Sequence, residues 1–240
     1  MPLTRYRPAE GGTGGTLLFL HGGGMVAGSR LTAEPTILRL VAASGITIIT
    51  PEYRLAPEHP NPTPVHDCHA ALAHLGREAS GLGIDPLRLA IGGDSAGGGL
   101  AAATAILARD TGGPRLTAQL LGCPMLDDRT TGPREKWHTW TPADNAIGWS
   151  AYLGGAPADH LAAPARAADL GGLPRAFIDT GTLDLFCAED VRYALRLLEA
   201  GVPCDLHVYA GAPHGFASLN PHAGVAKRAL AQRAAFLRTI

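Results

Sequence analysis

The chain has 240 residues, of which 46% are hydrophobic and 17% are charged. Its 20 basic and 21 acidic side chains give a net charge of −1, which argues against a nucleic-acid or anionic-membrane partner. The longest apolar runs are far shorter than the roughly 18 residues that a membrane span needs, and the N-terminal MPLTRYRPAEGG has no signal-peptide core. These features predict a cytoplasmic protein whose partner is a small, weakly charged molecule.

The four cysteines, at positions 68, 123, 187 and 204, lie far apart in the sequence. No two of them form a C-x-x-C pair, which argues against a disulfide framework and against a zinc site. The sequence therefore predicts small, buried apolar side chains at these positions and no metal.

Apolar, β-branched segments alternate with longer segments rich in alanine and leucine. Strands are predicted at LTRYR (3–7), TLLFL (16–20), ITIIT (46–50), LRLAIG (87–92), LTAQLLG (116–122), RAFIDTG (175–181) and CDLHVYA (204–210). Helices are predicted near 32–44, 64–80, 96–109, 188–200 and 222–238. This order indicates an α/β fold with a mostly parallel sheet and helices on both faces. Ligands of such sheets bind beyond the carboxyl ends of the strands.

The segment from about 127 to 165 interrupts this alternation. It contains all three tryptophans, Trp137, Trp140 and Trp149, among prolines and short helical stretches. The segment is predicted to be an excursion from the sheet. Its tryptophans can cover a site or pack against the core, and packing is the preferred interpretation.

The fourth predicted strand runs into a glycine-rich turn. Gly93-Asp94-Ser95-Ala96-Gly97 fits G-x-S-x-G between a strand and a helix, which is the context that this nucleophile motif requires. The flanking glycines permit a turn so sharp that Ser95 is strained and its Oγ exposed. A phosphate-binding turn at a helix N-terminus is the alternative. The spacing matches neither G-x-G-x-x-G nor a phosphate loop, so Ser95 is the candidate nucleophile.

A serine nucleophile needs a base that a carboxylate orients, and in this fold the chain order is Ser, then Asp or Glu, then His. Asp184 is the candidate acid because it comes just past the strand RAFIDTG. Asp179 lies inside that strand and Asp205 begins the next one, so both are expected to face the core or the solvent. His214 is the candidate base, since it follows the strand CDLHVYA in a loop bounded by glycine and proline.

Other ionisable residues have simpler explanations. Glu189 and Asp190 begin a predicted helix, where acidic side chains interact favourably with the helix dipole. His66 and His69 have the i, i+3 spacing of metal ligands. No third ligand is placed by the sequence, so a helix face is the preferred interpretation for both.

The loop HGGG (21–24) follows the strand TLLFL. Fixed donors at a developing oxyanion stabilise a transition state by roughly 2.7–4 kcal/mol each, and glycine amides can approach a substrate with no Cβ in the way. The amides of Gly23, Gly24 and Ala96 are the candidate oxyanion hole, and His21 is expected to bond the loop backbone. HGGG alone is also compatible with a flexible turn, which its combination with the nucleophile motif disfavours.

Five motifs together resemble those of the hormone-sensitive-lipase-like family of α/β-hydrolases. They are HGGG at 21–24, YRLAPE at 53–58, GDSAGG at 93–98, LDLF at 183–186 and HGF at 214–216. The resemblance extends from about residue 3 to the end of the chain. It implies the α/β-hydrolase fold and a carboxylesterase for short- to medium-chain esters that forms an acyl-enzyme on Ser95 and uses no metal or cofactor. It also implies the triad and oxyanion hole above, with YRLAPE bracing the HGGG loop.

Two features depart from this family. Members usually have a longer segment before HGGG that supplies a first strand and cap helices, whereas only some twenty residues precede it here. The expectation is one α/β-hydrolase domain over 1–240, with a truncated N-terminal cap and a small cap-like excursion at about 127–165. Around the acid, the family run is close to D-P-L-R-D-E, and this chain has D-L-F-C-A-E from Asp184.

The sequence leaves open three alternatives to the carboxylesterase function and one oligomeric assembly. The same triad serves an amidase or a deacetylase of a small metabolite, because pocket shape selects the leaving group. A non-catalytic hydrolase-fold binding protein resembles gibberellin receptors, which have lost the catalytic histidine, but this chain retains His214. A homodimer through the last strand and helix is an expectation from the resemblance.

Overall fold

The computed structural model describes residues 1–132 and 139–240. In this part of the chain, seven strands form one sheet in the order β1-β3-β2-β4-β5-β6-β7. The strands are β1 (Leu3–Tyr6), β2 (Thr16–Leu20), β3 (Thr47–Pro51), β4 (Leu89–Asp94), β5 (Ala118–Gly122), β6 (Arg175–Leu183) and β7 (Cys204–Pro213). β1 pairs antiparallel with β3, and every other neighbouring pair is parallel. The predicted mostly parallel α/β sheet is therefore confirmed.

Helices connect the parallel strands. They are α1 (Glu34–Ser44), α2 (Thr63–Arg77), α3 (Ala79–Leu82), α4 (Ala96–Asp110), α5 (Pro142–Leu153), α6 (Cys187–Glu199), α7 (Phe216–Leu219) and α8 (Gly224–Leu237). The five helices predicted from the sequence correspond to α1, α2, α4, α6 and α8. The fourth strand begins two residues later than predicted, because a 3₁₀ turn occupies Pro86–Arg88 and the Asp85 carboxylate accepts a hydrogen bond from the amide of Leu87 (2.9 Å).

The two faces of the sheet bury two separate apolar clusters. Leu17 and Phe19 of β2 join a cluster with Phe236 of α8, whereas Leu18 and Leu20 join a larger one. Because successive side chains of a strand point to opposite faces, this division shows that helices cover both faces. Each such leucine or phenylalanine contributes roughly 1.5–3 kcal/mol when fully buried.

The parallel arrangement brings six strand ends to one edge of the sheet. The strands β3, β2, β4, β5, β6 and β7 are neighbours in that order and all point the same way. The residues that follow them are therefore aligned along this edge, as expected of a ligand site in a parallel sheet.

The excursion between β5 and β6 is more regular than predicted. Its main element is α5, whose N-terminus has a capping box: the Thr141 hydroxyl accepts from the Asp144 amide, and the Asp144 carboxylate accepts from the Thr141 amide. Trp149 of α5 is 4% exposed and packs in the core, in agreement with the packing interpretation. Trp137 lies outside the described residues. Trp140 has a different position, beside the candidate site.

Residues 1–15 contain the strand β1 and no helix. The single-domain organisation and the reduced cap stay predictions. Within the described residues, no helix is both long and apolar enough to cross a membrane.

Candidate active site

Ser95 lies in the sharp turn between β4 and α4. Its backbone has φ 58° and ψ −123°, a conformation that costs a residue other than glycine on the order of 1–3 kcal/mol. Glycines are required on both sides: a Cβ on Gly93 would lie 2.5 Å from the Gly97 backbone, and a Cβ on Gly97 would lie 2.1 Å from the Leu20 carbonyl oxygen. The turn is held by the Ser95 amide, which donates to the carbonyl of Gly122 in β5 (2.8 Å).

His214 joins Ser95 to Asp184 through two hydrogen bonds. Ser95 Oγ lies 2.9 Å from His214 Nε2, and His214 Nδ1 lies 2.8 Å from Asp184 Oδ2. The other carboxylate oxygen of Asp184 accepts from the amide of Phe186 (2.9 Å), and the residue is 0% exposed. A carboxylate can only accept, so the imidazole proton lies on Nδ1, and Nε2 is left to accept from the Ser95 hydroxyl. The structure thus brings together all three residues of the predicted triad.

Neighbouring side chains fix the imidazole ring of His214. The ring of Phe186 meets it edge-on with centroids 5.1 Å apart, and that of Trp140 lies 6.2 Å away. The Thr139 hydroxyl donates to the His214 carbonyl (2.9 Å). These contacts orient the ring, and none of them occupies Nε2, which bonds Ser95 Oγ.

The HGGG loop follows β2 and lies against the Ser95 turn. Gly23 and Gly24 have φ values of 127° and 61°, which favour glycine. A Cβ on Gly23 would lie 2.0 Å from the Ala27 carbonyl oxygen. Within the described part of the chain, the amides of these two glycines donate to no protein acceptor. Ala96 is the first residue of α4, where helix amides have no partner inside the helix.

His21 bonds the loop backbone, as the sequence predicts. Its Nδ1 donates to the Gly22 carbonyl (2.8 Å), and burial lowers the pKa of His21 although this hydrogen bond opposes the shift. Tyr53, the first residue of YRLAPE, stacks on the imidazole at 4.2 Å and donates to the His21 carbonyl (2.7 Å). The amide of Ala56 donates to the carbonyl of Met25 (3.0 Å), so this segment holds both ends of the loop.

A family model described as the alpha/beta hydrolase fold matches residues 17–218. The chain belongs to the α/β-hydrolase family. It is 36% identical over 211 residues to Carboxylesterase NlhH of Mycobacterium tuberculosis, covering 83% of this chain and 66% of that protein. It is 37% identical over 234 residues to Carboxylic ester hydrolase LipN of the same organism, covering 91% and 61%. This α/β-hydrolase thus spans slightly less than two thirds of these relatives.

The solved structure of a bacterial heroin esterase is also similar to this α/β-hydrolase. The two superpose with a TM-score of 0.94 at 38% sequence identity, covering 99% of this chain and 78% of the other. The likeness therefore extends over the described sheet and its connecting helices.

A cavity of about 340 Å³ opens beside Ser95 and His214 in this α/β-hydrolase. The HGGG glycines, Trp140 and Phe216 line it. A larger cavity, about 620 Å³, is lined by residues such as Pro86, Arg109 and Arg175 at the opposite end of the strands. We assign the site to the smaller cavity, because it contains the serine, its base and unpaired amides, and because ligands of α/β sheets bind at this edge.

Sequence reasoning missed Arg233, which lies under the nucleophile turn of the α/β-hydrolase. This residue of α8 is 2% exposed. Its Nε and Nη2 donate to the Asp179 carboxylate (2.7 and 2.6 Å), and its Nη1 donates to Asp94 Oδ1 (2.9 Å). Asp179 faces the core, one of the two expected outcomes. An acidic residue in the middle of a buried strand is a signal that a cation must lie nearby, but the sequence does not say which one.

Glu189 and Asp190 lie in the first turn of α6, as predicted, and both are buried. The amides of Leu126 and Asp127 donate to Glu189 Oε1 (2.7 and 3.2 Å), which ties α6 to the segment after β5. Burial raises the pKa of Glu189 to about 8. The helix dipole therefore explains only part of why an acid lies at position 189, because the Glu189 carboxyl group also accepts hydrogen bonds from two backbone amides.

Proposed function

We propose that this protein is a serine carboxylesterase of the hormone-sensitive-lipase-like group and that it hydrolyses short- to medium-chain carboxylic esters. The observation that carries the proposal is the hydrogen-bonded series from Ser95 Oγ through His214 to the buried Asp184 at the wall of a cavity. The curated relatives named as a carboxylesterase and a carboxylic ester hydrolase support the same reaction class.

In the first step, Ser95 Oγ attacks the ester carbonyl carbon while its proton passes to His214 Nε2. The carboxylate of Asp184 stabilises the resulting imidazolium through Nδ1. When the tetrahedral intermediate collapses, the bond to the alcohol oxygen breaks and that oxygen takes the proton from Nε2. An acyl-enzyme on Ser95 remains and the alcohol leaves.

In the second step, water repeats the sequence. His214 Nε2 accepts a proton from the water as its oxygen attacks the acyl carbon, and then returns a proton to Ser95 Oγ as the acid is released. Both steps need the same neutral imidazole with its proton on Nδ1, which Asp184 favours.

The negative oxygen that forms in each step needs donors at a fixed place. We assign this role to the amides of Gly23, Gly24 and Ala96. The two glycine amides are unpaired within the described residues and belong to the loop that lines the cavity, while Ala96 follows the nucleophile directly. Fixed amides at this position act without reorganisation during the reaction.

The cavity supports a small, uncharged substrate. Its volume of about 340 Å³ is near the lower end of the roughly 300–1,000 Å³ typical of ligand pockets. The guanidinium of Arg233 contributes to the lining but is already paired with Asp179 and Asp94, so it is not free for an anionic substrate.

Ser95→Ala tests the proposal. We expect hydrolysis of a short-chain nitrophenyl ester to fall by about 10³-fold or more, because no nucleophile remains. Ser218→Ala is the matched control: this serine also lines the cavity, its hydroxyl donates to the Gly215 carbonyl, and it has no part in the reaction. Steady-state rates measure both. Normal turnover by the Ser95 variant would exclude the proposed mechanism.

An amidase or a small-metabolite deacetylase with the same triad is the remaining enzymatic alternative. Rates on an ester and its matched amide distinguish these activities, since only the leaving group differs. A purely binding function is disfavoured, because the triad geometry is complete. The cytoplasmic location and the homodimer stay predictions.

A further inference from the structure

Cys123 lies in the candidate site without a role in the proposed reaction. It follows β5 directly, with a positive φ of 36°, and lines the same cavity as Ser95. The residue is 3% exposed. The residue therefore borders the cavity while it is almost completely surrounded by protein.

The thiol is grouped with the acid and the base of the triad. One ligand atom each from Cys123, Asp184 and His214 lies within 4.8 Å of the others. Sulfur, imidazole nitrogen and carboxylate oxygen are the three ligand types of zinc sites. In a tetrahedral site such atoms are roughly 3.3–3.8 Å apart. His214 Nδ1 and Asp184 Oδ2 are hydrogen-bonded at 2.8 Å, so this pair must separate by roughly 0.5 Å to admit an ion.

We propose that Cys123, Asp184 and His214 form an inhibitory site for a thiophilic divalent cation such as Zn²⁺ or Cd²⁺. The three side chains occupy three positions of a tetrahedron, and the fourth faces the cavity and holds water. The thiol proton is released to solvent as the sulfur–metal bond forms. The hydrogen bond between His214 Nδ1 and Asp184 Oδ2 breaks, the Nδ1 proton moves to Nε2, and the freed nitrogen and carboxylate oxygen bind the ion.

The surrounding charges favour a cation at this place. The carboxylates of Asp184, Asp94 and Asp179 all act on Cys123, against the single guanidinium of Arg233. The negative field that disfavours a bare thiolate is offset when a divalent ion binds the sulfur.

The bound ion would block His214 through Nδ1, the nitrogen that faces Asp184. With the metal on Nδ1, the proton of the neutral ring must lie on Nε2, which then cannot accept from Ser95. Nε2 faces Ser95 Oγ at 2.9 Å and cannot share one ion with Asp184. The inhibition rests on the proposed esterase function, whereas the binding itself does not.

Binding is tested by titrating the metal-free protein with Cd²⁺ and recording sulfur-to-cadmium charge-transfer absorption. We expect one saturating site that Cys123→Ser abolishes and that His214→Asn weakens by about tenfold or more. Cys204→Ser is the control: it changes another thiol, located on β7, and should leave the signal unchanged. No signal in the wild type, or the same signal and affinity in the Cys123 and His214 variants, would overturn the site. Circular dichroism verifies that each variant is folded.

Inhibition is tested by nitrophenyl-ester hydrolysis at increasing Zn²⁺, with reversal by a chelator. The readout is the ratio of rates with and without metal within each variant. We expect wild type and Cys204→Ser to be inhibited and Cys123→Ser to need at least about tenfold more metal. Equal inhibition of all three would overturn the proposal. If the wild type binds Cd²⁺ through Cys123 and His214 but hydrolyses no ester, the site stands and the proposed function fails.

Discussion

At the scale of single residues, the strained backbone of Ser95 positions the side chain that we propose as the nucleophile. Its positive φ directs the side chain out of the strand, and the close contacts at Gly93 and Gly97 leave no room for larger residues. The strain is tolerated because the Ser95 amide is bonded to β5 and its carbonyl accepts from Met125 (3.0 Å) and Gly99 (3.1 Å). The result is a rigidly held, half-buried Ser95 that borders the cavity.

Asp184 determines which nitrogen of His214 carries the proton. We expect Asp184→Asn to lower kcat for ester hydrolysis by about 10⁴-fold, because an amide can donate to Nδ1 and so favour the tautomer that cannot accept from Ser95. Asp205→Asn, an exposed acid on β7, is the control and should keep normal activity. Steady-state kinetics of purified variants measure the effect. Activity close to wild type in the Asp184 variant would point to another carboxylate.

At the scale of elements, buried acids join helices to the edge of the sheet. Arg233 connects α8 to β6 and to the end of β4 through Asp179 and Asp94. Glu189 connects α6 to the segment after β5. Such paired or protonated groups are costly to bury but specify how the elements dock.

The acid at the start of α6 predicts a pH-dependent stability. Burial raises the pKa of Glu189 from 4.5 to about 8, so between these values the folded chain holds a proton that the unfolded chain has lost. The free energy of unfolding therefore decreases as the pH rises through this window. Burial, followed by the charge of Glu189, also raises the pKa of Asp190. This second shift likewise makes the free energy of unfolding decrease as the pH rises.

Glu189→Gln tests this slope. Glutamine is neutral at all pH values, and its oxygen can still accept from Leu126 and Asp127. We expect the variant to match wild type near pH 5 and to exceed its unfolding free energy near pH 9, by on the order of a few kcal/mol. Urea unfolding at both pH values measures this difference, and Glu199→Gln, on the exposed end of α6, is the control. A variant that loses stability equally at both values would contradict the protonated state.

At the scale of the whole molecule, the excursion between β5 and β6 contributes to the shape of the site. Trp140 lines the cavity, and its ring lies so close to Gly24 that a Cβ there would be 2.4 Å away. Its indole nitrogen donates to Asn145 of α5 (3.3 Å). One wall of the cavity thus belongs to a segment that is not part of the sheet.

Trp140→Ala should change the preference for acyl length. Removal of the ring enlarges the cavity, so we expect the ratio of kcat/KM for octanoyl over acetyl nitrophenyl esters to rise by roughly tenfold. Ile147→Ala is the control, because this residue of the same excursion is 67% exposed. An unchanged ratio in the tryptophan variant would show that another wall limits the acyl chain.

The sequence by itself determined the order of the strands and helices and the residues of the candidate triad. Alternating apolar segments are local signals, and the G-x-S-x-G turn, the loop HGGG and the strand-end positions of Asp184 and His214 follow from chain order and the rules for parallel sheets. The predicted element boundaries were less accurate than the predicted order of elements. β4 begins after a 3₁₀ turn that the sequence analysis did not predict, and α5 was not predicted as a separate helix among the prolines of its segment.

Only the tertiary structure decided which distant residues meet. Arg233 is 139 residues from its partner Asp94, and no local pattern of α8 distinguishes it from the other basic residues. The position of Trp140 in the cavity and the grouping of Cys123 with the triad likewise depend on how β5, β6 and β7 align. These contacts arise from packing between segments far apart in the chain, whereas periodicity and motif spacing describe only residues that are near one another in sequence.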